Sequence, residues 1–218
     1  MYRRADLPAA LRLLQRSLAI NEKAYGPDHP EVATDANNIG QILKDQGDLD
    51  GALSYSRRAL LIDEKTFGPD HPKVARDANN IGTILKAQGD LDGALSYARR
   101  ALSIDEKTCG PDHPNVAIRA NNIGQILKGQ GDLDGALSYS RRALLIDEKT
   151  YGSDHPNVAR DANNIGQILL AQGDLDGALS YARRALAIFT KFLGPDHPST
   201  RTVAANLAGI ERQIARKP

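Results

Sequence analysis

An all-α solenoid of antiparallel helix pairs is the fold this sequence predicts, and three observations predict it. GPDHP begins at residues 26, 68, 110 and 194 and GSDHP at 152, so that successive copies stand 42 residues apart. The blocks between them are near copies: 26–67 and 110–151 differ at five of 42 positions, and 26–67 and 68–109 at seven. Within a block the apolar residues recur at helical spacing in two runs parted by a glycine. A fixed period of this size marks a stacked array, in which each unit buries its apolar face against its neighbours.

The elements follow in chain order. Residues 5–25 match only the second helix of a unit, with Asp6-Leu7 answering Asp48-Leu49 and Ala10-Leu11 answering Ala52-Leu53. Leu7, Leu11, Leu14 and Leu18 therefore form an apolar stripe without its expected partner helix, and either self-association through this edge or a further upstream helix in the natural protein is expected. The first helix of the first full unit spans about His29 to Gln46. Asp28 or His29 is its N-cap and Pro30 lies in its first turn, where a missing N–H costs nothing. Val32, Ala36, Ile39 and Leu43 line one face. Gly47 stops this helix and Asp48 caps the next, which runs to about Thr66 with Leu49, Ala52, Leu53, Ser56, Ala59 and Leu60 as its stripe. Gly68 and Pro69 punctuate the turn to the following unit. The pattern repeats over 68–109, 110–151 and 152–193, and 194–218 supplies a lone first helix, more polar (Arg201, Glu211, Arg212, Gln213) as a cap should be. Ten helices over 1–218 are expected to make a single solenoid.

Composition narrows the function. Lys+Arg 28 against Asp+Glu 27 gives a net charge of +1, so no global field draws this surface to nucleic acid or an anionic membrane. One cysteine, Cys109, excludes an internal disulfide framework and fits a reducing compartment, so a cytoplasmic location is expected. The N-terminal segment, broken by Arg12, Gln15 and Arg16, is no signal peptide, and no apolar run approaches the roughly 20 residues that span a bilayer. Without tryptophan and with three phenylalanines, the core must be built from Leu, Ile, Val and Ala. No Ser-His-Asp set converges and no glycine loop follows a strand, so no enzyme and no cofactor is expected. The histidines His29, His71, His113, His155 and His197 come one per period, too far apart to share a metal whose ligands lie about 2 Å away; they belong to helix-entry turns. Arg57-Arg58 and its copies, with Asp63-Glu64 nearby, are expected on a solvated outer face. Cys109, in the place of Phe67 and Tyr151, is expected as a small core or interface residue.

The segment NNIGQILKDQGDLDGALSYSRRAL, 37–60, resembles the tetratricopeptide repeat, with Gly40, Ala52 and Ala59 at the small-residue positions where paired helices touch. The GPDHP turn and the 42-residue period resemble the kinesin-light-chain subclass. The resemblance covers about residues 5–215 and implies a right-handed superhelix. Two positions depart from the family's pattern. Ala36 and Ser56 stand where large residues are usual, so the helices sit closer or are wedged by Tyr55. Gly51, Gly93, Gly135 and Gly177 stand where glutamate is frequent.

The resemblance also gives a site. Two adjacent asparagines are poor material for a helix interior, yet ANNIG recurs at 36–40, 78–82, 120–124 and 162–166. With about 100° per residue, Thr34, Asn38, Gln41 and Asp45 fall opposite the core stripe, and Asn37 about 60° to one side near Lys44. In a tetratricopeptide array the first helices line the concave groove. That places Asn38, Asn80, Asn122, Asn164 and Asn206 in one column, whose amides can pair with the backbone of an extended peptide. Gln41, Gln125 and Gln167 belong to the same face; selection would come from Arg76 and Arg160 in one flanking column and Lys44, Lys86 and Lys128 in another, with a weak preference for acidic partners. A protein- or peptide-binding scaffold is expected, the alternatives being a structural spacer or self-assembly module and, more remotely, an RNA-binding helical repeat. Repetition by recent tandem copying, and asparagines that fix the stacking register, would equally produce the motif.

Overall fold

A computed structural model describes residues 7–216, and within them every regular element is a helix. The elements are α1 (Leu7–Tyr25), α2 (Pro30–Gln46), α3 (Leu49–Phe67), α4 (Pro72–Gln88), α5 (Leu91–Cys109), α6 (Pro114–Gln130), α7 (Leu133–Tyr151), α8 (Pro156–Gln172), α9 (Leu175–Leu193) and α10 (Pro198–Ala215). The expected boundaries hold to within a residue or two. Residues 5 and 6 of the first segment and 217–218 of the last lie outside the described residues.

Local chemistry sets each helix end. Of the two candidate N-caps for α2, His29 takes the role: its Nδ1 accepts the Glu31 N–H at 3.2 Å, with Pro30 opening the helix. Gly47 closes α2 with φ 88°, a left-handed geometry open to glycine, and its N–H reaches the carbonyls of Leu43 and Lys44. Asp48 then caps α3 by accepting the Gly51 N–H at 3.0 Å. A Cβ at position 51 would overlap the Asp48 carboxylate. With glycine at this position the Asp48 carboxylate closes on the helix end into the space a Cβ would occupy.

The chain divides into two compact units, Met1–Gly110 and Pro111–Pro218, the division falling in a GPDHP turn. In the first unit α1 packs on α2, α2 on α3, α3 on α4 and α4 on α5. Its core joins Leu18, Val32, Ala36, Ile39, Ala52, Ala59 and Ile84. The second unit repeats the scheme from α6 to α10 around Val158, Ala162, Ile165, Ala178, Phe189 and Ile210. Paired helices sit close rather than wedged. A Cβ at Gly40 would lie 2.7 Å from Ser56 Oγ and 3.2 Å from the Ala52 carbonyl oxygen. The small residues at 36 and 56 thus accompany a tight contact, with Tyr55 half-buried at its margin.

The α1 edge differs in detail from the expected stripe. Leu18 is buried and Leu7, Leu11 and Leu14 are half-buried, because this side of α1 lies on α2. The large exposed apolar residues of α1 are Leu13, Ile20 and Tyr25, the last stacked on His29. Ile20 is 57% exposed, whereas Ile62, one period later, is 4% exposed.

Candidate functional site

The two asparagines of ANNIG do different things. Asn37 on α2 is buried, and its Nδ2 donates to Asp77 Oδ1 on α4. Asn80, half-buried on α4, donates from Nδ2 back to Asn37 Oδ1 at 3.1 Å. The second unit repeats the arrangement: Asn121 donates to Asp161 Oδ1 at 2.5 Å and Asn164 to Asn121 Oδ1 at 3.2 Å, while Asn206 donates to Asn163 Oδ1 at 3.0 Å. The first asparagine is a latch between successive first helices, and the second is tied to it through one N–H. The repeat therefore needs the pair. Asn38 is exposed and Asn122, Asn164 and Asn206 are half-buried, so this column lies at the surface of the first helices. An amide offers two N–H groups and two acceptor directions, and one such bond does not exhaust it.

Gln41, Gln125 and Gln167 are half-buried one turn further on, with Lys44 and Lys128 half-buried and Lys86 exposed beyond them. Burial pushes the Lys128 ammonium below its usual pKa. The arginine column is engaged internally. Arg76 Nε donates to Asp77 Oδ1 at 2.9 Å and its NH2 to Asp63 Oδ2 at 3.2 Å. Arg160 bridges Asp161 and Asp147 in the same way, at 3.1 Å to each. Their positive charge is largely matched from within.

Those aspartates are the polar residues that sequence reasoning missed. Asp63 and Asp77 are both 0% exposed, so Asp63 belongs to the interior and not to a solvated outer face. The signal was present in the spacing: Asp63 follows Ala59 by four residues and Leu60 by three, continuing the buried stripe of α3. Burial raises the Asp63 carboxyl to about 7, helped by the neighbouring Asp77 carboxyl and opposed by Arg76 and Lys73. Burial likewise raises Asp161 to about 7 and raises Asp147. At the matching place on α2, Asp35 instead accepts from Asn21 Nδ2 at 2.7 Å and Ser17 Oγ at 3.2 Å.

The remaining charged motifs act both between repeats, through the arginines, and within a repeat, through the lysines. Arg58 pairs with Glu22, and Arg184 with Glu148, at 2.5 Å each, while the preceding Arg57 is exposed. Lys65 meets Asp28 and Lys191 meets Asp154, so Asp28, free of cap duty, anchors the following helix. The histidine rings stack on the aromatic residue that ends the preceding helix: Tyr25 on His29, Phe67 on His71 and Tyr151 on His155, with centroids 4.4–4.6 Å apart. Tyr25, Phe67 and Tyr151 are all exposed, and Cys109, which takes the aromatic's place, is likewise exposed rather than a core residue. Among the described residues, no three His, Cys, Asp or Glu side chains converge as a metal site would require. No described helix is long and apolar enough to cross a membrane.

Comparison with known proteins agrees with this geometry. The crystal structure of BtubC (BKLC) from P. vanneervenii superposes with a TM-score of 0.80 at 21% identity, covering 96% of this chain and 84% of that one. Two crystal structures of a Podosopora anserina putative kinesin light chain with nearly identical TPR-like repeats, one of them a point variant, give TM-scores of 0.74 and 0.72 at 20% identity. Each covers 86% of this chain, and 88% and 89% of theirs. At these identities the likeness establishes the fold, that of a TPR-like solenoid. No curated protein matches the chain significantly in sequence. The tetratricopeptide-repeat family model matches residues 1–60, 36–107, 78–144, 116–191 and 162–218, and such repeats generally mediate protein–protein interaction. With matches from one end to the other and the helix-pair geometry behind them, this chain belongs to the tetratricopeptide-repeat family.

Proposed function

We propose that the chain is a non-enzymatic scaffold that holds an extended peptide segment along its first helices, through the column Asn38, Asn80, Asn122, Asn164 and Asn206. The observation carrying this reading is the tether on the second asparagine. Asn80, Asn164 and Asn206 are each fixed through one N–H to the preceding repeat. A pre-oriented, half-exposed amide binds a peptide backbone with less ordering cost than a free rotor. Gln41, Gln125 and Gln167 extend the polar surface. The preference for acidic partners rests on Lys44, Lys86 and Lys128 rather than on Arg76 and Arg160, whose guanidinium groups are matched by buried carboxylates. The lone cysteine fits a cytoplasmic setting. Immobilised peptides of acidic, neutral and basic composition provide the test. The acidic set should retain the chain, and Asn80→Ala with Asn164→Ala should weaken retention about fivefold or more, because peptide groups are left unpaired. Retention by no peptide class, or retention indifferent to both substitutions, overturns the reading.

Self-association through α1 is a second reading, favoured by the exposure of Leu13 and Ile20. Sedimentation should then show a concentration-dependent dimer in the wild type and a monomer in Leu13→Glu/Ile20→Glu. A monomer in both rejects it.

A further inference from the structure

We propose that each buried Asp–Arg–Asp cluster, Asp63–Arg76–Asp77 and Asp147–Arg160–Asp161, holds one shared proton that clamps successive repeats together, so that the array loosens as the proton leaves.

The geometry demands a donor. Arg76 and Asn37 supply hydrogen bonds to Asp63 Oδ2 and Asp77 Oδ1, while Asp63 Oδ1 and Asp77 Oδ2 are buried and reached by no donor among the described residues. Two carboxylates set against one guanidinium leave one negative charge in excess, in a place with almost no access to water. A proton between the carboxyls removes the excess charge and satisfies both oxygens. Asp161 Oδ2 stands in the same position in the second unit. The charged groups facing Asp63 are Arg76, Asp77 and Lys73, all from α4, and from α2 the cluster meets the uncharged Asn37 amide. For Asp147 and Asp161 they are one another, Arg160 and His155, with the Asn121 amide from α6.

The chain carries its own version with a permanent amide in place of the second acid. At the α1–α2 contact, Asn21 stands where α3 has Asp63, and Thr34 where α4 has Arg76. There the Asn21 amide donates to Asp35 directly, as the protonated acid would. At 63, 76 and 77 and at 147, 160 and 161 the arginine and the second aspartate stand together, whereas Asp105 is followed at the same spacing by Ile118 and Arg119.

The raised carboxyls at Asp63 and Asp161 fall in line with this, and the proton belongs to each pair rather than to one oxygen. The folded clusters keep a proton up to about pH 7 that the unfolded chain releases near 3.8. Between those limits the native state binds more protons, so stability falls as pH rises. The unfolding equilibrium constant should grow about tenfold per pH unit for each cluster across that window.

Denaturation of the full chain at about pH 5.5 and about pH 8, for wild type and for Asp63→Asn/Asp147→Asn, reads this slope. The histidines other than His155 are common to both proteins and cancel in the difference; His155 faces Asp147, so Asp63→Asn alone is measured beside the double variant. The wild type should lose denaturant midpoint toward pH 8 relative to the variant, in which an amide permanently replaces the protonated acid. Equal pH dependence in both proteins overturns the proposal. Should the variant fail to fold, a carboxyl-carbon NMR titration of the wild type decides: one carboxyl per cluster should titrate near neutrality, and titration of every aspartate in the usual acidic range overturns the proposal. Neither measurement involves a peptide, so the outcome is independent of the scaffold reading.

Discussion

At the residue scale, two neighbours of identical chemistry are assigned opposite consequences. Asn37 is buried, donates to Asp77 and accepts from Asn80, so Asn37→Ala strands an aspartate and an amide together. The expected cost is about 1–3 kcal/mol. Asn38 is exposed, and Asn38→Ala should be neutral or stabilising by a few tenths of a kcal/mol through helix propensity alone. Urea denaturation of the two variants beside the wild type checks the contrast, and equal effects would contradict the division of labour. Gly51 gives a second residue-scale test. Alanine normally improves a helix by about 0.5–1 kcal/mol over glycine. Here its Cβ would dislodge the Asp48 cap, itself worth about 0.5–2 kcal/mol. Gly51→Ala should therefore destabilise the wild type and stabilise an Asp48→Ala background, a change of sign that a double-mutant cycle detects. The asparagine positions were legible from helical periodicity, as were the glycine stops and the aspartate caps. What Asn37 touches was not, because its partner lies one period away on another helix and a sequence carries no distance.

At the scale of the element, most helix boundaries follow from residues that can be read in line. Histidine and proline open α2, α4, α6 and α8 and a left-handed glycine closes them, while an aspartate cap opens and a positive-φ glycine closes α3, α5, α7 and α9. The faces are less legible. Asp63 continues an apolar stripe and is buried, yet beside Glu64 it looks like one half of a solvated acidic pair. Spacing outranks residue type here because Arg76 arrives from α4 to offset the charge. The value of an apolar residue likewise depends on which helices flank it. Ile20 and Ile62 occupy the same place in successive second helices but are 57% and 4% exposed. Ile62→Ala removes buried methyls from the first unit's core and should cost about 2–5 kcal/mol, whereas Ile20→Ala should cost under about 0.5 kcal/mol. Thermal or denaturant unfolding of the pair tests whether position in the stack, and not residue identity, sets the energy.

At the scale of the whole molecule, near-identical repeats invite a count, with each unit adding its own stability and one interface. The buried clusters break that equivalence. Asp63 precedes Arg76 by 13 residues and Asp77 by 14, and Asp147 has the same spacing to Arg160 and Asp161. In the last contact of the second unit the acid is replaced by Phe189 and the positions that follow by Thr202 and Val203. Removing one period can therefore preserve a matched set or destroy one. Deletion of 110–151 brings Asp105 to 13 and 14 residues before Arg160 and Asp161, which recreates a matched cluster. Deletion of 152–193 brings Asp147 to that spacing before Thr202 and Val203, which offer no positive charge. Both variants lose 42 residues and one helix pair, so a pure repeat count gives them the same denaturant midpoint and the same helicity per residue. Leaving a buried acid without its partner costs roughly 3–5 kcal/mol, and neutralising it by protonation recovers part of that. The 152–193 deletion should thus unfold at a clearly lower urea concentration than the 110–151 deletion at neutral pH, with the gap narrowing in mild acid. Coincident unfolding curves at both pH values would mean that the repeats are interchangeable and that the aspartate clusters do not distinguish one interface from another.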